Sequence, residues 1–108
     1  DSTRGMIDAK KLAMMKTSAM LINVARGPVV VEEDLAEALH KGVIACAGID
    51  VFDKEPPLDV ESPILHAPNV LVTPHVAFAT KESMSLRAKI VFENLQSWME
   101  GKQINVVM

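Results

Sequence analysis

The sequence predicts an α/β domain with a parallel β-sheet. Three apolar runs, at 19–25, 44–52 and 69–73, have the length and composition of strands, and segments with helical periodicity separate them. Strands that alternate with helices are typical of parallel sheets. The first run, 19–25, is almost unbroken by polar residues, which is typical of strands covered on both faces.

The first two predicted helices each have a recognisable start. Asp8 can cap a short helix that extends to about Lys16. A second helix is predicted over 32–40, because acidic residues crowd its positive end and Gly42 follows its last turn.

The last predicted helix is the longest and is amphipathic. Pro63 to Ala67 is expected to form only a short helical turn, whereas Thr80 caps a helix that runs to about Glu100. Apolar residues recur along this helix at steps of three and four, namely Met84, Ala88, Val91, Leu95 and Trp98. This periodicity predicts a face that packs in a core.

Composition and charge argue against several classes of function. The chain has 108 residues, of which 49% are apolar, enough for one small domain with a core. Its net charge of −3, without a basic run, argues against nucleic-acid binding. No apolar stretch approaches the roughly 20 residues that span a bilayer, so no membrane partner is expected. The single cysteine, Cys46, fits a cytoplasmic protein, and the spacing of histidines and cysteine predicts no metal site.

Each of the three predicted strands delivers polar side chains at or near its carboxyl end. The first run ends at Arg26, the second yields Asp50 and then Glu55, and the third ends at His75. Because the carboxyl ends of parallel strands meet at one edge of the sheet, these side chains are expected to converge there. Ligands of such sheets bind outside that edge.

The chemistry of these side chains suits a small 2-oxo or 2-hydroxy acid. A histidine beside a carboxylate is a proton-transfer pair, because imidazole titrates near neutral pH. The planar fork of an arginine matches a substrate carboxylate with two hydrogen bonds. Arg26 would then anchor the acid, His75 would exchange a proton with its oxygen, and Glu55 would tune His75. The alternative interpretation, without any function, is that these residues form ordinary surface ion pairs.

Three ordered blocks of sequence extend across almost the whole chain. They are Leu-Ile-Asn-Val-Ala-Arg-Gly-Pro-Val-Val at 21–30, Ala-Gly-Ile-Asp-Val-Phe at 47–52 followed by Glu55-Pro56-Pro57, and Asn-Val-Leu-Val-Thr-Pro-His-Val-Ala at 69–77. In order and spacing they resemble the D-isomer-specific 2-hydroxyacid dehydrogenases. The segment 74–80 is most similar to the glycerate dehydrogenase (hydroxypyruvate reductase) branch.

This resemblance implies a hydride transfer between NAD(P)H, with NAD or NADP as cofactor, and a small 2-oxo acid. Hydroxypyruvate or glyoxylate would give D-glycerate or glycolate, and the full-length enzyme would be a homodimer. Arg26 would bind the substrate, Glu55 would pair with the acid/base His75, and Asp50 would hold the nicotinamide carboxamide. The residues implied to line the cofactor are Val24, Ala25, Arg26, Asp50, His75, Val76, Ala77 and Phe78. Val31 departs from the family, which commonly has Asp there, so a weaker helix cap is expected.

The glycine-rich turn of a dinucleotide-binding domain is absent from the chain. None of the five glycines forms a G-x-G-x-x-G pattern. The fold class is therefore expected to be a partial Rossmann-type doubly wound sheet, its last three strands plus helices. Residues 1–108 would be a C-terminal fragment of the nucleotide-binding domain, with the helix at about 80–100 leading back to a substrate domain. Alone, this chain is expected to be inactive and to self-associate through its open strand edge.

Two other functions stay open. The same fold serves as a dinucleotide-sensing scaffold in the transcriptional corepressors of the family that the chain resembles. Turnover by the full-length protein would distinguish an enzyme from such a scaffold. A small structural or interaction domain with an accidental match is the third interpretation.

Overall fold

A computed structural model describes residues 2–54 and 59–107, which divide into two compact units, Asp1–Val76 and Ala77–Met108. The first unit contains α1 (Ala9–Ala13), β1 (Met20–Asn23), α2 (Glu32–His40), β2 (Cys46–Ile49) and β3 (Val70–Val72). Short 3-10 helices occur at Gly27–Val29 and Pro63–His66. The second unit contains α3 (Lys81–Met99).

The three strands form a parallel sheet in the order β1-β2-β3, as the sequence predicted. Each strand is shorter than its apolar run. Val51 and Phe52 are buried although they lie beyond the end of β2, so an apolar run predicts burial better than it predicts strand pairing.

Only one face of the sheet is covered within the described chain. Leu21, Ala47 and Ile49 are buried on that face. They belong to one apolar cluster with residues from the helices, namely Leu12, Leu35, Leu39 and Ile64. On the other face, the side chains of Ile22 and Leu71 are 65% and 72% exposed. The prediction of two covered faces is therefore wrong for the described residues, because α1 and α2 bury only one face.

The predicted bounds of α2 are confirmed, and those of α1 are too long. At the end of α2, Gly42 has φ 66°, and Val43 N donates to Ala38 O at 2.8 Å, which closes a left-handed cap. Asp8 caps α1 as predicted and accepts from Lys11 N at 2.9 Å. This helix ends at Ala13.

The helix of the second unit begins after Thr80, as the sequence predicted. Thr80 caps α3 by accepting from Ser83 N at 3.1 Å, and Gly101 follows with φ 74°. The amphipathic face of α3 is not a core face within the described chain, since none of its residues is buried and Trp98 is 65% exposed. Periodicity identifies an apolar face but not what covers it. In the part of the chain described, no helix combines the length and apolar character needed to cross a membrane.

Candidate functional site

A buried asparagine shapes the chain just after β1. Asn23 is 6% exposed; its Nδ2 donates to Arg26 O at 3.0 Å, and its Oδ1 accepts from Ala25 N at 3.2 Å. An asparagine side chain that bonds to the backbone in this way fixes a turn. The Arg26 side chain is exposed, and its Nη1 donates to Ala25 O at 2.7 Å. The Asn23 side chain therefore holds the backbone that carries the guanidinium.

Gly27 brings this turn against the segment that follows β2. A Cβ atom at Gly27 would lie 1.9 Å from the carbonyl carbon and oxygen of Phe52 and 2.5 Å from Asp53 N. Only a glycine allows two backbones to approach so closely. The adjoining segment leads to Glu55, the predicted partner of His75. Glu55 itself lies outside the described residues.

Asp50 is the first residue after β2 and is only 3% exposed. Its Oδ1 accepts from Val76 N at 2.9 Å and also from the hydroxyl of Thr73. Its own amide donates to Asn23 O at 3.0 Å. Asp50 thus links the carboxyl ends of all three strands, with its carboxylate bonded beyond β3 and its backbone amide bonded to the end of β1. A buried carboxyl group is tolerated where hydrogen bonds compensate its lost hydration, as they do here.

His75 lies in the turn that Asp50 holds. It is half-buried, its φ is 54°, and its amide donates to Thr73 O at 3.1 Å. A non-glycine residue in the left-handed region costs on the order of 1–3 kcal/mol and persists only where its surroundings determine it. Such residues cluster at functional sites, and this one is the predicted acid/base.

The structure therefore brings six predicted residues to the carboxyl ends of the strands, Val24, Ala25, Arg26, Asp50, His75 and Val76. Asp50 contacts the His75 turn directly, whereas Arg26 reaches the edge through the Asn23 turn. Ala77 and Phe78 belong to the second unit, where the Arg87 guanidinium carbon is 5.2 Å from the centre of the Phe78 ring. The described residues contain no group of three His, Cys, Asp or Glu that could hold a metal ion.

Three residues that build the site were not among the predicted ones, namely Asn23, Gly27 and Thr73. Two of them carried a signal. Asn23 is the only polar residue in the first apolar run, and Thr73 ends the third. A polar residue at the carboxyl end of a buried strand must find hydrogen bonds, and the site supplies them. The close approach at Gly27 depends on Phe52, which is distant in sequence, so no local pattern could indicate it.

Known proteins share both the sequence and the fold. Residues 1–77 match the family described as D-isomer specific 2-hydroxyacid dehydrogenase, NAD binding domain. The glycerate dehydrogenase of Methylorubrum extorquens is 47% identical over 108 residues, which cover 97% of this chain and 34% of that protein. The chain spans about a third of the length of the curated relatives it matches.

Two solved structures have the same fold. The NADPH-dependent glyoxylate/hydroxypyruvate reductase from Sinorhizobium meliloti, in complex with citrate, is 37% identical with a TM-score of 0.83, covering 98% of this chain and 34% of that one. The NAD-complexed D-isomer specific 2-hydroxyacid dehydrogenase from Lactobacillus delbrueckii ssp. bulgaricus is 33% identical with a TM-score of 0.80, covering 99% and 36%. These similarities extend through the strand ends that carry the site. The chain belongs to the D-isomer specific 2-hydroxyacid dehydrogenase family, as part of its NAD-binding domain.

Proposed function

We propose that the full-length protein transfers a hydride between NAD(P)H and a small 2-oxo acid. Hydroxypyruvate would give D-glycerate, and glyoxylate would give glycolate. The observation that carries this proposal is the turn at His75, which is fastened to Asp50 at the sheet edge from which Arg26 emerges. A proton donor and a carboxylate anchor at one edge are the two protein groups that this reduction requires.

Each side chain has a separate task in this reaction. The exposed guanidinium of Arg26 binds the substrate carboxylate through its two-pronged face. His75 gives its proton to the carbonyl oxygen, so that the carbonyl becomes a hydroxyl as the carbon gains the hydride. Glu55 would pair with His75 and keep the imidazole oriented, a role that lies on a residue outside the described ranges.

The residues at the strand ends fit the nicotinamide end of a dinucleotide. A bound nicotinamide would supply or accept the hydride. The Asp50 carboxylate can accept from a carboxamide NH₂, and the exposed side chains of Val24 and Val76 offer apolar contact to a ring. Ala25, Ala77 and Phe78 are the further residues proposed to line it. The chain has no glycine-rich turn for the pyrophosphate, so this group would bind elsewhere in the full-length protein.

The organisation of the full-length protein is part of the same proposal. Residues 1–108 would form the C-terminal part of a nucleotide-binding domain, with α3 leading to a substrate domain, since the matched relatives are about three times as long. The full-length protein would be a cytoplasmic homodimer that binds neither nucleic acid nor membranes. The single cysteine and the net charge of −3 support this placement.

The test is oxidation of NADH or NADPH by the full-length protein with hydroxypyruvate and glyoxylate, followed at the absorbance band of the reduced nicotinamide. We expect turnover with one of the two acids. The His75→Ala variant should lose roughly 10²–10⁴-fold in kcat while cofactor affinity is kept, because only the proton transfer is removed.

His40 provides a matched control. It is exposed at the end of α2 and bonds through its ring to Ala36 O at 2.9 Å, so His40→Ala should leave turnover unchanged. Equal turnover of the His75→Ala and wild-type proteins would remove His75 from the mechanism. Cofactor binding without turnover of any 2-oxo acid would instead favour a dinucleotide-sensing scaffold.

A further inference from the structure

We propose that the hydroxyl of Thr73 is a positioning group for His75. Through Asp50 it holds the turn 73–76 in the conformation in which the imidazole acts. The effect on turnover rests on the proposed function, whereas the geometry of the turn does not. Thr73 itself touches no reacting atom and is a positioning residue only.

Thr73 fixes the start of the turn with three of its own polar groups. Its amide donates to Ile49 O at 2.9 Å, which ties it to the end of β2. Its carbonyl accepts from His75 N at 3.1 Å, and its hydroxyl donates to Asp50 Oδ1. The residue is half-buried, so these bonds form where water competes little.

The end of the turn is fastened to the same atom. Val76 N donates to Asp50 Oδ1 at 2.9 Å, so one carboxylate oxygen accepts from the residues on both sides of Pro74 and His75. Asp50 is a firm anchor, because it is 3% exposed and its amide bonds to Asn23 O. The distance between the two ends of the turn is thereby determined.

The residues between these ends restrict the backbone conformation of His75. A proline has its φ fixed at about −65°, so Pro74 can adjust only its ψ. His75 absorbs the change of direction, with φ 54°. Because this conformation is costly for a residue with a Cβ, it lasts only while both ends are held. Loss of the Thr73 hydroxyl would loosen the first end and let the imidazole move.

The test is a matched pair of substitutions in the full-length protein. Thr73→Val keeps the branched shape and loses the hydroxyl, whereas Thr73→Ser keeps the hydroxyl. We expect Thr73→Val to lower kcat by roughly 10- to 100-fold, the loss typical of a group misplaced by about 1 Å. The KM for the 2-oxo acid should change by less than about threefold, since Arg26 is untouched, and Thr73→Ser should restore kcat to within about threefold.

Amide hydrogen exchange gives a second readout that needs no activity. Exchange at Val76 should be faster in Thr73→Val than in the wild type, and Thr73→Ser should exchange as the wild type does. Should the valine variant fail to fold, Thr73→Ala removes the same hydroxyl with a smaller side chain.

The outcomes are distinguishable. Wild-type kcat and wild-type exchange in Thr73→Val would overturn the proposal, and so would equal losses in the valine and serine variants, because the hydroxyl would then not be responsible. A wild-type protein without turnover would contradict the proposed function. The exchange at Val76 would then decide alone whether the hydroxyl holds the turn.

Discussion

Two buried polar side chains, Asn23 and Asp50, hold the backbone of the candidate site through hydrogen bonds. Each lies at the carboxyl end of a strand and bonds to the backbone of the turn that carries a proposed functional residue, Arg26 or His75. Within the described residues every buried side-chain nitrogen or oxygen has a hydrogen-bond partner. Fully bonded buried polar groups rigidify their surroundings. The exposed Arg26 and half-buried His75 are therefore carried by backbone segments that these bonds fix.

Substitution of Arg26 by lysine tests whether shape or charge binds the substrate. Lysine keeps the charge but cannot reproduce the planar fork, so we expect kcat/KM for the 2-oxo acid to fall by more than about tenfold. Steady-state kinetics of the full-length protein would measure this. Arg4, which pairs with Asp53 at 3.2 Å and is exposed, is the control, because Arg4→Lys should leave kcat/KM unchanged. Normal kinetics of the Arg26→Lys protein would contradict the anchor role.

Substitution of Gly27 by alanine tests the close approach of two backbones. Because the added Cβ would lie 1.9 Å from the Phe52 carbonyl, the segments must separate, and overpacking of this kind costs roughly 1–3 kcal/mol. We expect a lower melting temperature and lower turnover in the full-length protein, since the displaced segments carry Arg26 and lead to Glu55.

Gly42→Ala is the control for this prediction. Gly42 has φ 66° with no atom within 4 Å of a Cβ, so alanine should cost only about 1 kcal/mol of backbone strain. Its turnover should stay at the wild-type value because the site is not displaced. Equal turnover in the Gly27→Ala protein would mean that the close approach does not position the site.

The positions of Arg26, Asp50 and His75 at the strand ends could be predicted from sequence, because each lies at or near the end of an apolar run. The bonds that hold them could not, since they join residues far apart in the chain. Thr73 lies 23 positions from Asp50 and Val76 lies 26 positions from it. Such partners become visible only when the register of the strands is known.

At the scale of elements, the sequence predicted correctly the boundaries that depend only on neighbouring residues. The bounds of α2 follow from its acidic first turn and from Gly42, and both are properties of neighbouring residues. Strand ends were placed less well, because pairing depends on the adjacent strand. The face of α3 was assigned to a core for a similar reason, since periodicity does not name a partner.

The start of α2 offers a prediction on stability. Val31 occupies the N-cap position and makes no side-chain cap bond. Val31→Thr keeps nearly the same shape and adds an oxygen that can accept from the first turn, so we expect a gain of about 0.5–1 kcal/mol. Thermal unfolding of the full-length protein would measure it. Val31→Ala is the control and should lower stability, and a threonine variant no more stable than wild type would contradict the capping argument.

At the scale of the whole molecule, an uncovered apolar surface is the main departure from expectation. Ile22, Gly48 and Leu71 are paired in one row across the sheet. Ile22 and Leu71 are 65% and 72% exposed, and Met20 on the same face of β1 is 60% exposed. Contiguous apolar patches on a protein surface mark sites of association. The sequence predicted the parallel sheet correctly, but it could not tell which elements cover each face.

The open strand edge led to the expectation that the 108-residue chain self-associates on its own, and we expect this exposed row to contribute to that association. Light scattering after size-exclusion chromatography would measure its mass, and circular dichroism would verify that each variant is folded. Ile22→Glu combined with Leu71→Lys should lower the association, because two charges on the face must stay hydrated. Val60→Lys is the control, since Val60 is 72% exposed but lies outside the strands. A monomeric wild-type chain, or an equal effect of Val60→Lys, would show that the row does not drive association.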